Sequence, residues 1–228
     1  MDPSPLRAKI LETIVRKSSL KQQVFDNTFA TFNELKDILF EMSSEWDDEL
    51  DGRIDRRVRI EYRDRGKFEA QLQVANDILI FQMHTDVFEF GSDHLIWQNP
   101  YVQADRDNSY CGIIDIYNFL SDSFKFNRNA DEGYLIGRIF INRERRYFAE
   151  GKQQNSMRAM DFGKSEIGQE ALVAILESAI GFALNFDLLM PPYEENKRVT
   201  VDQFNTKMDN SKFVTGKRLG YDFDVEDI

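Results

Sequence analysis

The stretch RRVRIEYRDRGKFEAQLQV, residues 56–74, decides the fold. Apolar and polar side chains alternate on both sides of the short connection Asp64-Arg65-Gly66. Alternation with a period of two is typical of a half-buried strand, and a glycine in a short polar connection is typical of a hairpin loop. The stretch therefore predicts two antiparallel strands that share one apolar face and one polar face.

The turn position predicts a register. A three-residue loop at 64–66 places Tyr62 opposite Phe68, and with it Ile60 opposite Ala70, Val58 opposite Leu72, Arg59 opposite Gln71, Arg57 opposite Gln73 and Glu61 opposite Glu69. Turns at Asn76-Asp77 and Thr85-Asp86 extend the meander to four strands, which adds Val74, Leu79, Phe81, Met83, Phe88 and Phe90 to the apolar face. Because a one-residue slip would mix the two faces, their clean separation supports this interpretation.

The flanking segments predict helices and further strands. Ser4-Pro5 begins a short helix, and a capping box at Ser19 begins a second helix of about 30 residues. Further strands are predicted at 111–119, 134–141 and 146–150. We therefore expect a single α+β domain over 1–228, built from a helical part (1–50), an antiparallel, meander-rich sheet of about six or seven strands (56–150), an apolar helix (165–190) and an acidic tail (193–228). The long N-terminal helix and the apolar helix are expected to pack on one face of the sheet.

Composition narrows the class of protein. The formal net charge of −11 disfavours general nucleic-acid binding, because phosphate binding favours a positive protein. The N-terminus has no signal-peptide pattern and Cys111 is the sole cysteine, which together favour a reducing cytoplasm. The most apolar segment, 171–190, contains Glu177, Asn185 and Asp187, which favours a buried helix over a membrane span.

Catalytic and metal-binding patterns are weak. The residues that most resemble a metal-ligating set lack zinc-site spacing; they are His84, Asp86, Glu89, Asp93 and His94. Cys111 opens an apolar strand, where cysteine usually packs as a small hydrophobe. Phosphate-binding loops and a nucleophile elbow are missing from the sequence. We therefore expect a binding or adaptor protein rather than an enzyme, with no metal and no cofactor.

The polar side of the meander is the candidate binding surface. Its expected members are Arg57, Arg59, Arg63, Gln71, Gln73, Gln82 and His84. Guanidinium groups offer paired donors to carboxylates and phosphates, so we expect an acidic protein partner or an anion. Two other interpretations stay open: a merely solvated face, or a face neutralised within the molecule or across a dimer by the acidic run at 45–51.

Two alternatives use other parts of the chain. A ligand-binding or enzymatic pocket between the sheet and the helices could be lined by Phe81, Phe88 and Phe140. A homo-oligomer could form through a seven-residue stripe on the second helix, although such a stripe more often faces the chain's own sheet. The stripe consists of Phe25, Phe32, Leu39 and Trp46.

Overall fold

A computed structural model describes residues 4–55, 58–129, 131–151, 159–186 and 200–201. Its helices are α1 (Pro5–Thr13), α2 (Ser19–Leu50), α3 (Pro100–Ala104), α4 (Ser121–Lys125) and α5 (Gln169–Asn185), with a π-helical turn at Ile14–Ser18 and short 3-10 turns at Leu95–Gln98, Arg106–Ser109 and Ala159–Asp161. Its strands are β1 (Ile60–Asp64), β2 (Glu69–Val74), β3 (Asp77–Met83), β4 (Cys111–Leu120), β5 (Tyr134–Asn142) and β6 (Tyr147–Gly151). The predicted α+β class is confirmed.

The six strands form one antiparallel sheet in the order β1-β2-β3-β4-β5-β6. Strands β4, β5 and β6 lie where the sequence predicts them, within one or two residues at each end. Every strand pairs with its neighbours along the chain, so the sheet is a simple meander despite a long excursion after β3.

The two predicted N-terminal helices are joined by the π-helical turn. The side chain of Ser4 accepts a hydrogen bond from the Arg7 amide at 3.3 Å, and Pro5 occupies the first helical position, as expected. Helix α2 begins at Ser19 as predicted, but not through a capping box, because Ser19 already has helical dihedrals and the side chain of Ser18 makes no capping hydrogen bond.

The predicted register of the first hairpin is wrong by four residues. Tyr62 lies opposite Leu72 rather than Phe68, and Ile60 lies opposite Val74. Residues 65–68 form a four-residue loop in which Gly66 has a φ of 117°. Because the shift is even, the two faces of the sheet keep their predicted composition.

Contacts from α2 explain the longer loop. The Lys36 ammonium donates to the Asp64 carboxylate at 2.8 Å and to the Gly66 carbonyl at 2.7 Å, which fixes the loop against the helix. Phe68 has no partner in β1, and its carbonyl accepts a hydrogen bond from the Met83 amide at 2.9 Å. The ring of Phe68 packs edge-on against Phe25 and Phe29, with ring centroids 6.3 and 6.0 Å away.

The second turn lies one residue earlier than predicted. Its two residues are Ala75 and Asn76, so Val74 pairs with Asp77 and Leu72 with Leu79. Ala75 adopts a φ of 53°, a conformation that sequence propensity does not assign to alanine. The register shifts by two residues, and the faces again keep their composition.

The predicted third hairpin is wrong. After Met83 the chain leaves the sheet over residues 84–110 and returns as β4, with Ile114 opposite Met83. Phe88 forms an isolated bridge with Cys111 instead of a strand. Phe90 packs on Phe140 in a second apolar cluster, with ring centroids 5.1 Å apart, and this burial outweighs strand pairing.

Apolar clusters lie on both faces of the sheet. The main cluster joins one face to α2 and α5; it contains Leu72, Phe81, Ile114, Ile139, Leu172 and Leu176, among others. The second cluster occupies one end of the opposite face beneath residues 84–110 and 159–162; it contains Ile96, Val102, Cys111, Ile113, Phe140, Phe148 and Phe162. The rest of that face carries the polar strand residues together with Ile78, Ile80 and Phe119.

The stripe on α2 belongs to the main cluster. Phe32 and Leu39 are completely buried, and Phe25 and Trp46 pack against the same cluster. The stripe therefore faces the chain's own sheet, the more common arrangement for such a pattern, and the alternative that these four residues join two copies is corrected, because the sheet already occupies them.

The apolar helix is shorter than predicted. It begins after Gly168 and ends at Asn185, and residues 187–199 and 202–228, which include most of the acidic tail, lie outside the described residues. None of the helices in the described part of the chain has both the length and the hydropathy that a membrane span requires. The extent of the domain stays a prediction.

Candidate functional site

We use "polar face" for the open part of the sheet surface opposite the main cluster. Its described members are Arg59, Glu61, Arg63, Glu69, Gln71, Gln73, Gln82, His84, Asp115, Tyr117, Arg138 and Glu150. All predicted site residues except Arg57 are on it, and Arg57 lies outside the described residues. The polar face thus brings together residues from all six strands.

A row of polar side chains crosses the face. Successive strand pairings align Glu69 with Gln82, Gln82 with Asp115, Asp115 with Arg138, and Arg138 with Glu150. Directly paired residues on one face lie within contact distance, so their charges and hydrogen bonds interact.

Asp115 is the centre of that row. Its side chain is buried and accepts three hydrogen bonds: from Arg138 Nε to Oδ1 at 2.7 Å, and to Oδ2 from His84 Nε2 at 2.9 Å and the Tyr117 hydroxyl at 3.3 Å. Burial acts to raise the pKa of Asp115, but the donors Arg138 and His84 outweigh it and hold the pKa below its usual value. The carboxylate is therefore charged and fully engaged.

Arg138 keeps donors available. Only its Nε donates to Asp115, and its terminal nitrogens donate no hydrogen bond within the part of the chain that the structure describes. Its guanidinium lies 5.9 Å from the ring centroid of Phe140, and its side chain is 34% exposed. One end of the guanidinium is thus fixed by protein while the other end faces the open surface.

The histidine beside Arg138 is also fixed. The hydrogen bond to Asp115 uses Nε2 of His84, and the ring of Phe88 stands edge-on to the imidazole at 5.5 Å. Since the partner of Nε2 is a carboxylate, Nε2 carries the proton and Nδ1 is the acceptor when His84 is neutral.

The arginines near β1 have separate partners. Arg63 donates to both oxygens of Glu61, with Nε and a terminal nitrogen at 3.0 and 3.1 Å, and this bond lowers the pKa of Glu61. Arg65 donates to the buried Gln71 side chain at 2.7 Å and lies 5.7 Å from the Phe124 ring centroid. The acid that pairs with Arg63 is therefore its own strand neighbour, and it does not belong to the run 45–51.

Arg59 lies closer to that acidic run. Its side chain is exposed and forms no ion pair within the described residues. It lines a cavity of about 600 Å³ between the end of α2 and β1; the acids of the lining are Asp47, Asp48, Asp51, Asp55 and Glu61. The interpretation of internal neutralisation thus has some support at Arg59.

The residues considered for metal binding do not form a metal site. Within the described ranges, no group of three potential metal ligands converges. His84 is bound to Asp115, whereas His94 accepts from the Ile96 amide at Nδ1 and contacts Glu150 at 3.3 Å through Nε2.

The aromatic residues expected to line a common pocket lie apart. Phe81 is buried in the main cluster, Phe140 is in the second cluster on the other face, and Phe88 is 40% exposed. Cys111 is also buried in the second cluster, and its burial raises the pKa of the thiol. Neither observation favours a catalytic pocket at these residues.

Sequence reasoning missed the residues at the centre of the face. Asp115, Tyr117, Arg138 and Glu150 come from strands that read as apolar. The signal was a lone charged residue in each of two apolar runs, CGIIDIYNF and YLIGRIFI, since a buried charge usually requires a partner.

Comparison of the chain with family models, with curated proteins and with solved structures finds no match. The geometry of the polar face is therefore the basis on which a function can be assigned.

Proposed function

We propose that the protein is a non-catalytic binding protein that holds an acidic partner on its polar face. The observation that carries the proposal is Arg138, fixed at Nε by the buried Asp115 and exposed at its terminal nitrogens. A guanidinium that is already oriented loses little side-chain entropy on binding, and its two terminal nitrogens match the oxygens of a carboxylate.

Charge supports an acidic partner at this place. Four arginines at or beside the face, Arg59, Arg63, Arg65 and Arg138, are balanced by four acids, Glu61, Glu69, Asp115 and Glu150, so the formal charge of the area is zero. The whole chain carries −11. An acidic segment is repelled by the net charge of such a molecule and less so at a surface of zero formal charge, which favours binding here over the acidic parts of the chain.

The neighbouring groups favour recognition over chemistry. His84, Tyr117 and Arg138 all donate to one carboxylate, an arrangement that positions donors for a ligand. Cys111, the residue best suited to act as a nucleophile, is 1% exposed. Phe88 and the glutamines at 73 and 82 add half-exposed contact area next to these donors.

The test is titration of the full chain with an oligoglutamate peptide, followed by calorimetry and by amide shifts in NMR spectra. We expect shifts at Arg138, Arg63 and Gln82, and a loss of affinity of roughly tenfold in Arg63→Gln, because one charge-assisted hydrogen bond contributes about 1.5–3 kcal/mol. The double variant Arg59→Glu with Arg63→Glu should not bind. Inorganic phosphate, titrated in parallel, distinguishes carboxylate recognition from general anion binding.

A matched double reversal at Arg106 and Lys164, both exposed on segments away from β1, serves as the control and should bind like the native chain. Arg138→Lys retains the positive charge beside Asp115 but lacks the two terminal guanidinium nitrogens, so this variant should fold and should bind the peptide weakly. Native protein that leaves the oligoglutamate unbound, or equal affinity in the β1 double variant and the control, would overturn the proposal.

A further inference from the structure

The N-terminal helical segment exposes an apolar surface. Every residue from 4 to 19 is exposed, and α1 contributes no buried side chain. The large apolar side chains of this segment are half to two-thirds exposed: Leu6 67%, Ile10 48%, Leu11 50%, Ile14 53% and Val15 68%. Five such residues within ten positions form a patch of the kind that marks an interaction surface.

The segment is held at its C-terminal end. Arg16 forms a 3.8 Å ion pair with Asp107, and the Lys17 ammonium lies 5.6 Å from the ring centroid of Tyr110. Leu20 is the first buried residue of the continuous helix. Residues 5–15 therefore extend from an anchored base without apolar partners in the described chain.

Charge identifies a complementary surface. Residues 5–18 contain four basic side chains and one acidic side chain, a formal charge of +3, which leaves −14 on the rest of the chain. On α2, Asp37, Glu41 and Glu45 follow one another at intervals of four and are all exposed. Phe40 stands beside them, 61% exposed, with its ring edge-on to Tyr62.

We propose that residues 5–15 of one copy pack on this acidic surface of α2 in a second copy, and that the exchange is reciprocal. Each chain supplies one basic apolar helix and one acidic surface with an exposed aromatic ring, so a two-fold arrangement satisfies both at once and closes the assembly. This contact between two copies does not depend on which ligand the polar face binds.

A second copy accounts for the charges better than an anionic membrane. A membrane would attract the basic segment but repel the −14 carried by the remainder of the same chain. A second copy turns that acidic remainder into the attractive surface, and docking covers Phe40 together with the five exposed aliphatic side chains.

The decisive experiment is a charge exchange followed by sedimentation velocity. Variant one carries Arg7→Glu and Lys9→Glu, and variant two carries Glu41→Lys and Glu45→Lys. Each alone places like charges at both contacts, so each should dimerise at least about tenfold more weakly than the native chain. Mixed together they restore opposite charges at both contacts, and we expect a heterodimer of native affinity.

A third variant removes the apolar contact. Leu6→Ser, Ile10→Ser and Ile14→Ser change exposed residues only, so circular dichroism and thermal unfolding of the core should stay native while the protein becomes monomeric. A native chain that is monomeric at every concentration, or a dimer unaffected by the triple variant, would overturn the proposal. So would a monomer whose triple variant loses binding to phosphatidylcholine–phosphatidylserine vesicles, since that result would assign the segment to a membrane surface.

Discussion

Asp115 combines burial, charge and three hydrogen bonds in one side chain. The carboxylate orients two cationic or polar side chains on the surface above it without being exposed itself. Its role in binding would therefore be indirect, as a positioning residue for Arg138 and His84. The cost of burying its charge is offset by the three donors His84, Tyr117 and Arg138.

Replacing this carboxylate should lower stability in a pH-dependent way. We expect Asp115→Asn to reduce the free energy of unfolding by about 2 kcal/mol near pH 7, because charge-assisted hydrogen bonds are lost in a buried site. The folded-state pKa of Asp115 is lowered relative to its ordinary value of 3.8, so its contribution is present above that value and is lost as pH falls through the folded pKa.

Urea unfolding of both proteins across the acid range measures this difference. The gap between native chain and variant should be widest near neutrality and should close below the ordinary carboxyl range. Asp86→Asn, in the exposed turn after β3, is the control and should change stability by less than about 0.5 kcal/mol. A gap that is the same at every pH would contradict the assigned charge of Asp115.

At the scale of elements, the close approach of α2 to β4 constrains the residue at position 112. A Cβ placed on Gly112 would overlap the side chain of Thr28, whose hydroxyl donates to the Val24 carbonyl at 2.7 Å. Glycine at this position is thus required by close packing between the helix and the sheet. A turn conformation is not the reason for the glycine at this position.

We expect Gly112→Ala to destabilise the fold by about 1–3 kcal/mol, the usual cost of forcing extra volume into a packed core. Combined with Thr28→Ala, the loss should be smaller than the sum of the two single changes, since the second change removes part of the obstruction. Denaturant unfolding of the four proteins gives the coupling free energy.

Gly181→Ala is the matched control within the chain. A Cβ there meets no atom within 4 Å, and alanine favours the interior of α5, so the same substitution should stabilise the protein by up to about 1 kcal/mol. Independent effects of the changes at 28 and 112 would contradict the proposed contact between them.

The elements also show what sequence patterns can and cannot predict. Alternation assigned the residues of β1, β2 and β3 to faces correctly, because an even shift in register leaves the faces unchanged. The registers themselves depended on turns, and these were set by distant contacts such as Lys36 on Asp64 and by an unfavourable φ at Ala75. A local sequence pattern predicts neither the contact between Lys36 and Asp64 nor the φ of Ala75.

The excursion after β3 and the centre of the polar face were missed for a related reason. Phe88 and Phe90 alternate with acids as strand residues do, but Phe90 packs on Phe140 and Phe148, which are distant in the chain, and Phe88 forms a bridge with Cys111. Asp115 and Arg138 become partners only when β4 and β5 pair. Arg59 and Arg63 were placed on the right face, while their different partners required the structure.

At the scale of the whole molecule, net charge should govern stability. A chain of −11 repels itself in the compact state, and salt screens that repulsion. We expect the unfolding free energy to rise with sodium chloride as the screening length falls from about 30 Å at 0.01 M to about 8 Å at 0.15 M.

The unfolding free energy at each salt concentration is measured on the Leu6→Ser, Ile10→Ser, Ile14→Ser variant, so that association between copies does not contribute. In the native chain, salt should at the same time weaken association, because the basic helix and the acidic surface of α2 attract each other. Stability that falls with salt would indicate that the surface ion pairs outweigh the net charge.

The π-helical turn at Ile14–Ser18 has a consequence for the long helix as a whole. One residue more than a regular turn rotates everything before it by about 100° relative to everything after it, because a regular helix advances 100° per residue. The helix backbone stays continuous, but the apolar side chains before the π-helical turn point in a different direction from those after it. The apolar face after Leu20 packs on the chain's own sheet, and the apolar side chains before it remain available for contact with another molecule.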